Sequence, residues 1–122
     1  SQFSAQLTAA PARRTELRDL QRWIPDHLEE DLTIPALASR AAMSERTFVR
    51  AWRQETSSTP AAYVEAVRVE AARRLLESSD LTVAAVATAV GFGRPERLHR
   101  AIRRRLGTTP RAYREHFTRL DR

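Results

Sequence analysis

Two sets of arginines recur at helical spacing in this chain of 122 residues: Arg46, Arg50 and Arg53, then Arg97, Arg100, Arg103 and Arg104. A guanidinium is permanently charged and presents a planar fork of N–H donors. Placed three and four residues apart, such groups share one helix face, and that face suits a polyanion. The charge distribution agrees. Residues 1–90 carry 11 Arg against 12 acids, whereas residues 91–122 carry 10 Arg against 3, and so hold the net charge of +6. Because these arginines are interleaved with core-type residues, the expected polyanion is nucleic acid before membrane. The sequence contains no Lys.

Presenting such faces falls to helices. Ala, Leu and Val dominate the apolar residues, only three glycines interrupt them and β-branched runs are short, which predicts an all-α fold. With no cysteine there is neither a disulfide framework nor a thiolate metal site, in keeping with a reducing cytoplasm. No apolar run approaches twenty residues, so no membrane association is expected. Residues 1–14, SQFSAQLTAAPARR, show no clear period and are expected to be linker from a missing N-terminal domain.

The chain repeats itself. FVRAWRQETSSTPAAY (Phe48–Tyr63) lies over LHRAIRRRLGTTPRAY (Leu98–Tyr113) without a gap, and LTIPALASRAAM (Leu32–Met43) lies over LTVAAVATAVGFG (Leu81–Gly93) with one insertion. Two copies of one helix–turn–helix unit are the economical reading. In the first copy Thr33 and Ser44 are the N-cap candidates, with Phe48 and Trp52 forming the buried stripe of the second helix, about Ser44–Glu55. In the second copy Thr82 is the cap and Gly91 the turn, and Leu98, Ile102 and Leu106 face inward from about Pro95–Arg105. Arg94 stands where the first copy has Ser44 and cannot accept the cap bonds, so this helix is expected to start less firmly. Thr59-Pro60 and Thr109-Pro110 begin further helices. Gly107 ends its helix in a left-handed turn at little cost, while Ser57 must adopt that turn with strain or end the helix differently. Pro25 is expected to break a first helix spanning about Thr15–His27. The resulting organisation is a first subdomain at 15–59, a linker helix at 60–79 with Tyr63, Val67, Ala71 and Leu75 on one face, and a second subdomain at 80–122. About twenty residues of linker helix span about 30 Å, close to the roughly 34 Å of one turn of B-DNA.

MSERTFVRAWRQETSSTPAAYVEAVRVEAARRLL, followed by LTVAAVATAVGF and RRRLGTTPRAYR, resembles the DNA-binding domain of AraC/XylS-type transcriptional regulators over about residues 15–117. The resemblance implies seven helices in two helix-turn-helix subdomains, and a bacterial, cytoplasmic, nucleoid-associated activator. It implies double-stranded operator DNA and RNA polymerase as partners, no cofactor, a monomeric isolated domain and a dimeric parent. QF near the start, RTFVRAW and VRVEAARRLL are most similar to members carrying an amino-terminal class I glutamine-amidotransferase-like domain.

In such a motif the second helix enters the major groove. By that carry-over Arg46, Val49 and Arg50, and Glu96, Arg97 and Arg100, are the base-contacting candidates. Arginine can donate twice to guanine, valine can pack on a thymine methyl, and Glu96 can accept from cytosine. Thr33, Arg53, Thr82, His99, Arg103 and Arg104 are the candidates for phosphate. Whether the second head reads bases or mainly holds the backbone is left open by Arg94 and by the smaller Leu98 and Ile102.

Other constellations are sparse. His27, His99 and His116 fall on separate helices without a ligand-spaced partner, and no metal is expected. Glu29, Glu30 and Asp31 read as a solvated helix end. No glycine-rich phosphate loop or nucleophile elbow is present, so an enzyme is not expected. The competing reading is a helical interaction module gripping an acidic protein with its basic end.

Overall fold

The computed structural model describes the backbone of residues 2–120 and the side chains of residues 11–118; Ser1, Asp121 and Arg122 lie outside the described residues. These contain seven α-helices and no strand: α1 (Gln2–Trp23), α2 (Ile34–Arg40), α3 (Glu45–Thr56), α4 (Pro60–Ser78), α5 (Val83–Ala89), α6 (Pro95–Leu106) and α7 (Pro110–Leu120). None of them is long and apolar enough to cross a membrane. The chain forms two compact units, one from the residues up to His27 with Asp31–Val64, the other from Leu28–Glu30 with the residues from Glu65 onward.

The first helix differs from expectation. It starts at Gln2, well ahead of Thr15, so the backbone of the segment read as linker is helical and carries Pro11 inside it. Its end is as expected. Pro25 lacks an N–H and its ring crowds the preceding turn, so the α-helix stops at Trp23 and a 3-10 helix, Ile24–Asp26, follows.

In the first unit, α2 and α3 pack on each other and α1 packs on α3. Leu17, Leu20 and Ile24 are essentially buried, as are Leu37, Ala38, Phe48 and Trp52. Phe48 and Trp52 are wholly enclosed, with ring centroids 5.6 Å apart, and Tyr63 abuts Trp52 edge-on at 5.2 Å. Truncating either buried aromatic to Ala should cost about 3–5 kcal/mol. The second unit repeats the arrangement with smaller residues. Val69, Ala72 and Leu76 of α4 take the spacing of Leu17, Leu20 and Ile24, and are buried, as are Val86, Ala87, Leu98 and Ile102. The repeat is therefore a helix plus a helix–turn–helix. α4 closes the first unit with its opening turn and supplies the leading helix of the second.

That double duty shifts the buried stripe of α4. After Pro60 its buried positions are Val64, Val69, Ala72 and Leu76, whereas Tyr63, Val67, Ala71 and Leu75, expected as the inner face, are half-buried beside them. A helix serving two cores needs a wider apolar arc than one stripe provides.

Both turns are Schellman motifs, satisfying the carbonyls at the end of the first helix of each pair. Met43 N donates to Ala38 O and Ala42 N to Ser39 O; Phe92 N donates to Ala87 O and Gly91 N to Thr88 O. Gly91 takes φ +92°, and the inserted Gly93 takes φ +80° with its N–H also on Ala87 O, at 3.1 Å. The equivalent of Gly91 in the first copy is Ala42, at φ +57°, a left-handed alanine that costs about 1–2 kcal/mol. At Gly91 space matters as well as φ: an added Cβ would lie 1.8 Å from the Leu28 carbonyl oxygen. That oxygen accepts from Arg68 Nη2 at 2.8 Å.

α3 and α6 end alike. Ser57 at φ 59° and Gly107 at φ 71° are left-handed caps, each donating to the carbonyl four residues back at 3.0 Å. Serine thus adopts the strained turn that glycine adopts freely. Thr59 and Thr109 then cap α4 and α7, accepting from Ala62 N and Ala112 N at 3.1 Å, with Pro60 and Pro110 buried behind them.

Candidate nucleic-acid interface

Each second helix, α3 and α6, buries one stripe and exposes arginines opposite it. On α3, Phe48, Ala51 and Trp52 are buried while Arg46, Arg50 and Arg53 are exposed and Val49 is half-buried. On α6, Leu98, Ala101 and Ile102 are buried while Glu96, Arg97, His99, Arg100, Arg103 and Arg104 are exposed. Within each unit the sequence-predicted base-contacting residues thus lie together on one helix face.

The two helices start differently. Ser44 Oγ accepts from Thr47 N at 3.2 Å, and Phe48 N reaches Ser44 O at 2.9 Å. Arg94 provides no side-chain cap; Leu98 N lies 3.4 Å from Arg94 O, and Arg97 N bonds the same oxygen at 3.1 Å in a tighter 3-10 turn. The missing cap acceptor loosens the first turn of α6.

The phosphate candidates divide. Arg53, His99 and Arg103 are exposed. Thr82 is exposed and uses its hydroxyl to accept from Ala85 N at 3.0 Å, capping α5. Thr33 occupies the N-cap position of α2 but makes no side-chain cap bond. Its hydroxyl and then its backbone N–H, 3.0 Å from Asp31 Oδ1, hold the Asp31 carboxyl below its usual range. A carboxylate beside Thr33 disfavours a phosphate there. Arg104 departs from expectation: its Nε and Nη2 form a two-pronged pair with Glu65 of α4 at 3.1 and 2.8 Å. Arg105 adds Nε to the same carboxylate at 3.0 Å.

Several contributors escaped the sequence reading. Glu65 is one, since nothing local links an acid on α4 to arginines at the end of α6. Val83 is another. With Pro95, Glu96, His99 and Arg100 it lines a shallow groove of about 350 Å³ between α5 and α6, giving the exposed face of α6 an apolar flank. Arg68 is half-buried with Nε unpartnered among the described residues, and burial, then the nearby Arg97 charge, lowers its pKa. In the first unit the Arg40 guanidinium lies 3.6 Å from the Trp23 ring centroid, and His27 stacks on Trp23 at 4.1 Å.

Two helix–turn–helix units with arginine faces define a class, and comparison with known proteins narrows it. The family described as "Helix-turn-helix domain" matches residues 37–116. The HTH-type transcriptional regulator Rv1931c of Mycobacterium tuberculosis is 48% identical over 84 residues, covering 69% of this chain and 32% of its own length. The HTH-type transcriptional activator RhaS of Escherichia fergusonii is 36% identical over 99 residues, covering 81% and 36% respectively. The chain thus spans about a third of the length of these regulators. Among solved structures, the DNA-binding domain of AdpA, in complex with a target DNA, superposes with a TM-score of 0.79 at 42% identity, covering 83% of this chain and 91% of that one. The C-terminal domain of AraT, a response regulator from Geobacillus stearothermophilus, gives 0.79 at 25% identity, covering 83% and 84%. The chain belongs to the helix-turn-helix family, in its AraC/XylS-type group.

Proposed function

We propose that this chain is the DNA-reading part of a bacterial transcription regulator, binding double-stranded operator DNA sequence-specifically and without turnover. The observation that carries the reading is the paired design: two copies of one helix–turn–helix, each with a buried stripe and an opposed arginine face. The similarity to the AdpA domain, itself solved on a target DNA, supports the same reading.

In this mechanism α3 and α6 enter successive major grooves. Arg46 and Arg50, and Arg97 and Arg100, donate to guanine edges, Val49 meets a thymine methyl, and Glu96 accepts from cytosine. Arg53, Arg103, His99 and Thr82 fix the register on phosphates. The firm start of α3 makes the first head the sharper reader, and the weaker start of α6 gives the second head a larger share of backbone affinity. The effector domain and the contact with RNA polymerase belong to the parent protein, which activates transcription from a cytoplasmic, nucleoid-bound position. QF, RTFVRAW and VRVEAARRLL favour a class I glutamine-amidotransferase-like effector domain.

In vitro selection of bound duplexes tests the reading. The expected motif has two blocks about one helical turn apart. A single block would restrict base reading to one head. No preference over competitor DNA at any salt would overturn the proposal and favour an interaction module with an acidic partner.

A further inference from the structure

α6 carries Arg97, Arg100, Arg103, Arg104 and Arg105 against Glu96 alone, whereas α3 carries Arg46, Arg50 and Arg53 against Glu45 and Glu55. Every free arginine on such a helix adds affinity that any duplex satisfies, and this erodes the ratio between operator and other DNA. One side chain from another helix counters the excess. Glu65, on α4, accepts from Arg104 through both oxygens and from Arg105 through Oε1.

The contact is a departure from the repeat. The positions in α3 that match Arg104 and Arg105 are Gln54 and Glu55, neither of them basic. The residue of α7 that matches Glu65 is Glu115, which pairs within its own helix with Arg111 at 3.3 Å. By the match of Val69 to Leu17 on the leading helices, Glu65 falls opposite Arg13 of α1, which with Arg14, Gln54 and Glu55 lines a small pocket. In the first unit the arginines thus stand on the leading helix and the acid on the second, the reverse of α4 and α6. Glu65 also grips the helix whose opening turn is loose: Leu98 N to Arg94 O is 3.4 Å against 2.9 Å for the matching bond in α3. Fixing the last turn to α4 restrains a helix that its cap does not.

We infer that Glu65 is a positioning and specificity-determining residue, which seats the end of α6 and withholds Arg104 from phosphate so that the second head does not bind duplexes indiscriminately. The inference rests on the DNA-reading proposal above. The lowered pKa of Glu65, due first to the Arg104 hydrogen bond and opposed by desolvation, keeps the carboxylate charged for this task.

The test measures binding of the chain and its variants to a selected operator and to an unrelated duplex across a salt series, with thermal melts by circular dichroism. Glu65→Gln should tighten the unrelated duplex several-fold, narrow the operator preference and steepen the log–log salt slope by about 0.9, the increment for one added phosphate contact. Adding Arg104→Gln should return the slope to that of the wild type. An unchanged slope in a Glu65→Gln chain that melts normally would overturn the inference. Arg104→Gln alone decides the matter if Glu65→Gln proves unstable. The slope should then stay as in the wild type, and a drop of about 0.9 would mean that Arg104 already holds a phosphate. A wild-type chain with no operator preference would sink the DNA-reading proposal itself, which the slopes on unrelated DNA do not.

Discussion

Single side chains divide here into those facing outward for recognition and those holding the outward ones in place. Arg50 is exposed on α3, less than two turns from the Ser44 cap. Arg50→Ala should cost about 1–3 kcal/mol of binding and relax selectivity at one base pair. Equal weakening on all duplexes, measured over an operator-variant panel, would make Arg50 a phosphate contact instead. Tyr63 belongs to the second group, donating its hydroxyl to Gln21 O at 3.2 Å and so tying the start of α4 to the end of α1. Tyr63→Phe should lose about 1 kcal/mol in denaturant melts. Its repeat-mate Tyr113 does a similar job with different partners, donating to Glu77 at 2.6 Å and accepting from Arg73 Nε at 2.9 Å. Glu65 gives a prediction in pH. Its pKa lies below the ordinary 4.5, so the stabilisation it provides is complete above that value and disappears as pH falls through the lowered one. Acid titration of the denaturation midpoint should show that loss in the wild type, and Glu65→Gln should lack it.

At the scale of helices and turns, the caps and stops carry the differences between the copies. Arg94→Ser would give α6 the acceptor that α3 has, and should raise thermal stability by about 0.5–1 kcal/mol. A melt that does not move would mean that Pro95 at the first position already sets the turn. Much of this was legible in the sequence. The ungapped echo from Phe48 to Tyr63 and from Leu98 to Tyr113 located α3, α6 and the starts of α4 and α7. The absence of a cap at Arg94 followed from its lack of an acceptor, and the strained stop at Ser57 from its place opposite Gly107. Other features carried no local signal. Ala42 takes a left-handed conformation because the Schellman bonds demand it, and alanine does not announce that as glycine does. The buried stripe of α4 is offset from the period read because two cores share the helix. Glu65 meets Arg104 across 39 positions, a pairing that only the packing of α6 on α4 creates.

Over the whole molecule, charge and repeat point to one mode of binding, in which a base-reading term sits on a large salt-dependent one. The formal charge of +6 comes from the last quarter of the chain. Raising salt should therefore cost affinity on all duplexes while widening operator preference, and an operator affinity insensitive to salt would contradict that division. The duplication also had to be reconciled with a single chain, and Gly91 records how. Its missing side chain makes room for the Leu28 carbonyl, while Ala42, at the matching turn, is exposed. Two copies of the same turn should therefore have opposite mutational tolerance. In a library covering both positions, glycine at position 42 should enrich under heat selection by relieving about 1 kcal/mol, and most small residues should survive there. At position 91 even alanine should drop out, because the room it would fill is already taken by the main chain of a distant segment.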